Sequence, residues 1–213
     1  EQYRLGVVLR NVENIRTLHM QENLVLNHVK WFADSTNILH FEPDGMRAEN
    51  FILRSEEQSV ELRTEPDALH ILLAKFKLGT LTNLVSTMDS VPLATGILDG
   101  DVALPRGTNG MLKADLSIND LTTLGTPIGT LHITADQRST STYDATAALT
   151  NSSNKLDANA TITTGGKTNI QAAADIDLGD ISFLKPFVSS FLYALDGGIK
   201  GKVKYQQQGE RTV

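Results

Sequence analysis

A chain of 213 residues with 40% hydrophobic and 21% charged side chains can bury a sizeable core, in one large or two small domains. Its net charge of −6 and pI of about 5.3 exclude a basic stripe that would neutralise phosphates, so no nucleic acid is expected as a partner. The absence of cysteine excludes disulfides, thiolate zinc sites and cysteine nucleophiles.

Residues 3–32 offer two strand candidates, Tyr3–Arg10 and Asn23–Trp31, before polar Asp34-Ser35-Thr36 breaks the pattern. A hairpin follows, with arms Asn37–Phe41 and Met46–Leu53 around Glu42-Pro43-Asp44-Gly45. Proline presets that turn and glycine takes its positive φ. Ser55-Glu56-Glu57 turns the chain again into Ser59–Arg63, which makes a β-meander. From Ala68 the alternation sharpens: Leu72, Ala74, Phe76 and Leu78 form one expected face, with Lys75 and Lys77 pointing away. Leu81, Leu84, Val85 and Met88 then have the spacing of a short helix.

Beyond Gly96, Gly100, Val102 and Leu104, five further segments alternate with period two. Their inward positions read Leu112/Ala114/Leu116/Ile118, Leu131/Ile133/Ala135, Tyr143/Ala145/Ala147/Leu149, Leu156/Ala158/Ala160/Ile162 and Ile170/Ala172/Ala174/Ile176. Turns are expected at Asn151–Asn154 and Thr164–Lys167. Three successive strands place paired alanines mid-face and large residues at the ends. Aligned registers give a flat alanine floor with apolar rims.

An amphipathic helix is expected next, through Phe183, Leu184, Phe187, Val188, Phe191, Leu192 and Leu195. Asp180 or Ser182 can cap it, and Gly197-Gly198 stops it. It is either core filling for the alanine floor or a lid over an apolar ligand. Its surroundings echo the first half. Leu78-Gly79-x-Leu81-x-x-Leu84 matches Leu178-Gly179-x-Ile181-x-x-Leu184, and Gly96/Gly100/Val102/Leu104 match Gly197/Gly201/Val203/Tyr205. This reads as an internal repeat over about 68–105 and 168–205. The expected fold is mainly β: an elongated, curved, largely antiparallel sheet with an open groove and two short amphipathic helices.

No catalytic motif stands out. The five histidines lack ligand spacing, so no metal is expected. Glu42 and Asp44 sit in a turn, and Gly165-Gly166-Lys167 lacks the spacing of a phosphate loop. One tryptophan and 6% aromatics give a sugar site little to stack on. No enzyme activity and no cofactor are expected. No apolar run reaches the roughly 18–20 residues that span a bilayer. A start at Glu1 without Met, no signal peptide, and an end in mid-phrase read as a fragment of a longer protein.

The segment with Trp31, Asn37-Ile38-Leu39-His40-Phe41 and Gly45-Met46-Arg47-Ala48-Glu49-Asn50-Phe51 resembles the repeating segments of the TamB/AsmA-like family (translocation and assembly module), of the Bacteroidetes type. So does Leu195-Asp196-Gly197-Gly198-Ile199-Lys200-Gly201-Lys202-Val203. The resemblance implies a periplasmic protein anchored in the inner membrane outside this piece, with a β-taco body of apolar interior. It implies passage of phospholipid to the outer membrane through a groove that shields acyl chains. It also implies neighbouring repeats in the full-length chain and an outer-membrane barrel partner. The alternative role is a scaffold or chaperone in outer-membrane β-barrel assembly, pairing its sheet edge with an incoming strand. The family has no catalytic residues to carry over.

Overall fold

In the computed structural model, residues 3–12, 15–80, 92–164, 169–181 and 195–208 are described. Seventeen strands are found among them. They are β1 (Tyr3–Arg4), β2 (Val7–Val12), β3 (Ile15–Met20), β4 (Asn23–Leu26), β5 (Val29–Ala33), β6 (Ile38–Glu42), β7 (Gly45–Glu49), β8 (Phe51–Ser55) and β9 (Gln58–Thr64). The series continues with β10 (Ala68–Lys77), β11 (Ala94–Pro105), β12 (Lys113–Thr123), β13 (Thr126–Ser139), β14 (Thr142–Thr150), β15 (Asn154–Thr163), β16 (Asn169–Leu178) and β17 (Ile199–Gln208). Thirteen form one antiparallel sheet, ordered β1-β4-β5-β8-β9 and then β10 to β17 in sequence; β2-β3-β6-β7 form a second. The fold is mainly β and does not close into a barrel.

The two sheet orders share an origin. Each small-sheet strand is the chain continuation of a large-sheet strand: β1 runs into β2, β3 into β4, β5 into β6 and β7 into β8. Four long segments therefore bend across one line, at Gly6, Gln21-Glu22, Asp34–Asn37 and Asn50. Asn50 takes a positive φ of 47°, which an asparagine tolerates better than a branched residue. Asn37, with no exposed surface, holds the crease: its side chain accepts from the Met20 amide and donates to the Met20 carbonyl, both at 2.8 Å. These bonds replace a ladder pair where the strands turn the corner. Thr64 does the same for β7, its hydroxyl accepting from the Ala48 amide and donating to the Ala48 carbonyl.

The large sheet also rolls. β5 and β10 lie three strand spacings apart, about 14 Å in a flat sheet. Trp31 on β5 and Phe76 on β10 nonetheless have ring centroids 5.7 Å apart. Leu24, Trp31, Phe76 and Leu98 close into one buried cluster, and Leu39, Phe51 and Leu69 join the small sheet to the large one in another. The N-terminal third is thus folded over its own apolar face, and each large side chain fully buried there contributes about 1.5–3 kcal/mol.

Several sequence expectations are corrected. Asn23–Trp31 is a hairpin, turned at Asn27-His28, whose φ values of 49° and 65° are those of a tight two-residue turn without its usual glycine. Tyr3–Arg10 breaks at Leu5-Gly6, and Ile15–Met20 is a strand that the pattern did not mark. Met46–Leu53 divides at Asn50 between the two sheets. The turns at 42–45, 55–58 and 151–154 lie where expected, and the one expected at Thr164–Lys167 falls, after Thr164, outside the described residues. Gly79 and Thr80 are helical, but Leu81–Met88 falls outside the described residues. Of the expected lid helix, Phe183, Leu184, Phe187, Val188, Phe191 and Leu192 fall outside them too, while Leu195 is neither helix nor strand.

Candidate functional site: an alanine-floored trough

Directly opposed residues of an antiparallel ladder share a face, so the registers can be followed from strand to strand. One row runs Leu73–Gly100–Leu116–Ile133–Ala147–Ala158–Ala174–Val203. Beside it runs Ile71–Val102–Ala114–Ala135–Ala145–Ala160–Ala172–Tyr205. A third is Phe76–Leu98–Ile118–Leu131–Leu149–Leu156–Ile176–Gly201. Across β14, β15 and β16 the two alanine rows lie between larger residues: Leu149, Leu156 and Ile176 on one side, Tyr143, Ile162 and Ile170 on the other. The floor and rims read from the alternation therefore exist, because the registers of three strands align without a bulge.

Ten of the twelve groove residues named from sequence share this face: Phe76, Leu116, Ile118, Ala145, Ala147, Ala158, Ala160, Ala172, Ala174 and Ile176. Leu72 and Ala74 do not. Leu72 stands opposite Glu61 and Asp101 on the polar face, and Ala74 opposite Ser59. The cause is a bulge between Leu73 and Phe76, where Lys75 takes a φ of 48°. One extra residue inverts the alternation, so Leu69, Ile71 and Leu73 replace Leu72 and Ala74 on the face that Phe76 shares. Two side-chain bonds hold the bulge: Asp99 accepts from the Lys75 amide at 2.8 Å, and Gln58 accepts from the Lys77 amide at 2.9 Å.

The trough changes character along its length. At its β10–β11 end the apolar face is packed under Trp31 and Leu24. Over β13 to β17 it opens, among the described residues, into a concavity of about 300 Å3, walled and floored by Ile133, the alanines, Val203 and Tyr205. Two flanking clusters firm its margin, Leu121/Ile128/Leu149 with Leu78, and the turn Asn151–Asn154. In that turn Asn151 accepts from the Ser153 and Asn154 amides and donates to the Ile128 carbonyl.

The opposite face is charged. Asp101 opposes Asp115, Asp136 opposes Asp144, and Asp157 opposes Asp175, an arrangement that repels unless neutralised. Cations offset two of the pairs, where Arg138 contacts Asp144, Lys155 reaches Asp157 at 2.9 Å and Lys202 reaches Asp175 at 3.0 Å; beside the third, His70 Nδ1 lies 2.9 Å from Asp101. His132 lies 2.9 Å from Ser117 Oγ and 3.4 Å from Asp115, on this outer face and away from the trough. No group of three or more histidine and carboxylate side chains is placed to hold a metal among the described residues.

Where the hairpin β6–β7 meets the end of β11, Arg106 and Arg47 both bind Glu42; Arg106 also lies 3.4 Å from Asp44. The Arg47 bond, with Arg106 adding to it, holds the Glu42 carboxyl below its ordinary range against the opposing effect of burial. Among the described residues, no helix is long and apolar enough to cross a membrane. Neither a protein-family model, nor a curated protein, nor a solved structure matches this chain.

Proposed function

We propose that this protein is non-enzymatic and holds lipid acyl chains along the open alanine-floored trough, as a segment of a periplasmic bridge that carries phospholipid toward the outer membrane. The observation that carries the reading is the pair of alanine rows, continuous over β14–β16 and open over β13–β17. A floor of small side chains lets a methylene chain approach the sheet closely. Each CH2 removed from water contributes about 0.8 kcal/mol. The face across from the trough carries the charges, so headgroups and water have no reason to enter from below. The resemblance noted from sequence supplies the cellular setting: an inner-membrane anchor and neighbouring repeats outside this chain, and a barrel partner in the outer membrane.

The test is native mass spectrometry of the purified protein for co-purified phospholipid, followed by titration with a spin-labelled phospholipid. The expected result is bound lipid in the parent and loss of the immobilised spin signal in Ala158→Trp, which fills the floor. Equal immobilisation in both proteins would place the lipid elsewhere and sink the reading.

A second reading, a scaffold in β-barrel assembly, is favoured by one observation. Strand β17 ends the large sheet and is paired on one side only among the described residues.

A further inference from the structure

The edge of β17 that no described residue pairs has a template inside the same sheet. Strand β11 carries Gly100 in the trough row, and a Cβ there would lie 2.5 Å from Leu116 Cδ2 and 2.4 Å from the Asp115 carbonyl oxygen. The next strand, β12, has thus pushed a leucine into the glycine notch. Gly201 stands on the same apolar face of β17, one row over beside Ile176, with the sequence spacing of Gly100: four residues after a glycine and two before a valine. A Cβ at Gly201 would meet nothing within 4 Å. Its notch is empty.

The rest of β17 is also one-sided. Val203 and Tyr205 end the two alanine rows and are 52% and 53% exposed. On the charged face Lys200 and Lys202 reach back to Asp177 and Asp175 and remain about four-fifths exposed. Lysines often guard an edge against pairing. A guard works by placing charge where the incoming strand must bury it, yet the inward positions here are valine and tyrosine.

We infer that β17 accepts an antiparallel strand of defined chemistry from a partner: acidic side chains opposite Lys204, Lys202 and Lys200, a small residue opposite Val203, and a leucine seated in the Gly201 notch. The core of such a strand reads Glu-Ala-Glu-Leu-Glu. It copies the pairing of β12 on β11, where Ala114 opposes Val102 and Leu116 opposes Gly100, with acids at the alternate positions to match the lysines. A second copy of this chain fits poorly, since two β17 edges would set lysine against lysine. The inference rests on the second reading, the open edge, and its chemistry is independent of lipid binding.

The experiment titrates a synthetic ten-residue peptide with that core into the isotope-labelled protein and follows backbone amide shifts. Saturable shifts on β17 and β16 are expected, weakening several-fold between low and high salt. A peptide with lysine for every glutamate should bind at least tenfold more weakly. Replacing the peptide leucine by alanine should cost the parent several-fold. Gly201→Val, which keeps the parent's melting curve, should reverse that preference. No shifts on β17, equal binding of the acidic and basic peptides, or no leucine preference overturns the inference. So does sedimentation showing a dimer through β17 without peptide. Lipid titration on the same sample separates the two failures, because the trough can fill whether or not the edge is paired.

Discussion

The two ends of the large sheet use the same apolar face in opposite ways. Around β4, β5, β10 and β11 the face is rolled shut, and Trp31 and Leu24 retain 1% of their surface. Across β14 to β17 no described element covers the face, and Val203 retains about half of its own surface. What differs is side-chain volume. Tryptophan, phenylalanine and leucine at the N-terminal end demand a second layer, whereas alanine exposes too little apolar area to require one. One continuous hydrogen-bond ladder can therefore join an end that requires a second layer to an end that does not.

The largest expected effect tests that division directly. Trp31→Ala should cost about 3–5 kcal/mol, the range for truncating a buried tryptophan. Tyr205→Ala should stay within about 0.5 kcal/mol, as for exposed sites. Urea unfolding followed by circular dichroism measures both. Similar losses at the two positions would show that the open end is core after all.

An intermediate effect concerns how the β6–β7 hairpin is fastened to the end of β11. Glu42 has a lowered carboxyl pKa because Arg47 and Arg106 donate to it. Its stabilisation is thus complete above the unfolded-state value, near 4.3, and is lost as pH falls through the lower folded value. Glu42→Gln should destabilise by about 1–2 kcal/mol at neutral pH, and its melting temperature should fall less than the parent's on acidification from pH 5 to pH 3. Parallel falls in the two proteins would remove Glu42 from the acid response.

The smallest expected effect is the most diagnostic of vacancy. Sequence alone suggests that tryptophan at Ala147 or Ala160 overpacks a core, at about 1–3 kcal/mol. With the floor open, Ala158→Trp should move stability by less than about 1 kcal/mol while emptying the trough of ligand. A thermal melt beside the lipid titration checks it.

The C-terminal meander was legible because its strands are regular. From Leu112 to Ile176 nearly every inward residue could be read by period two, since β14, β15 and β16 pair without interruption. The N-terminal third was not, for three physical reasons. Asn27-His28 makes a turn that usually contains glycine, so a hairpin looked like one strand. Asn50 bends a strand between layers without breaking its hydrophobic pattern. Lys75 adds one residue in mid-strand, and period-two counting cannot detect an insertion that the partner strand absorbs. The roll of the sheet was equally hidden, because contact between Trp31 and Phe76 depends on pairing order rather than on any local signal.

The perpendicular run of the rows makes the trough a ruler graduated in strands. Its length grows only when strands are added, and each further hairpin extends it by two spacings, about 10 Å. Such an insertion leaves every existing side chain on its own face. Lengthening individual strands widens the trough instead, and a single inserted residue turns its remaining floor to solvent. Duplication of whole hairpins is thus the one change in chain length that rescales the cavity without disturbing its lining. The length of a trough of this design is set by counting turns.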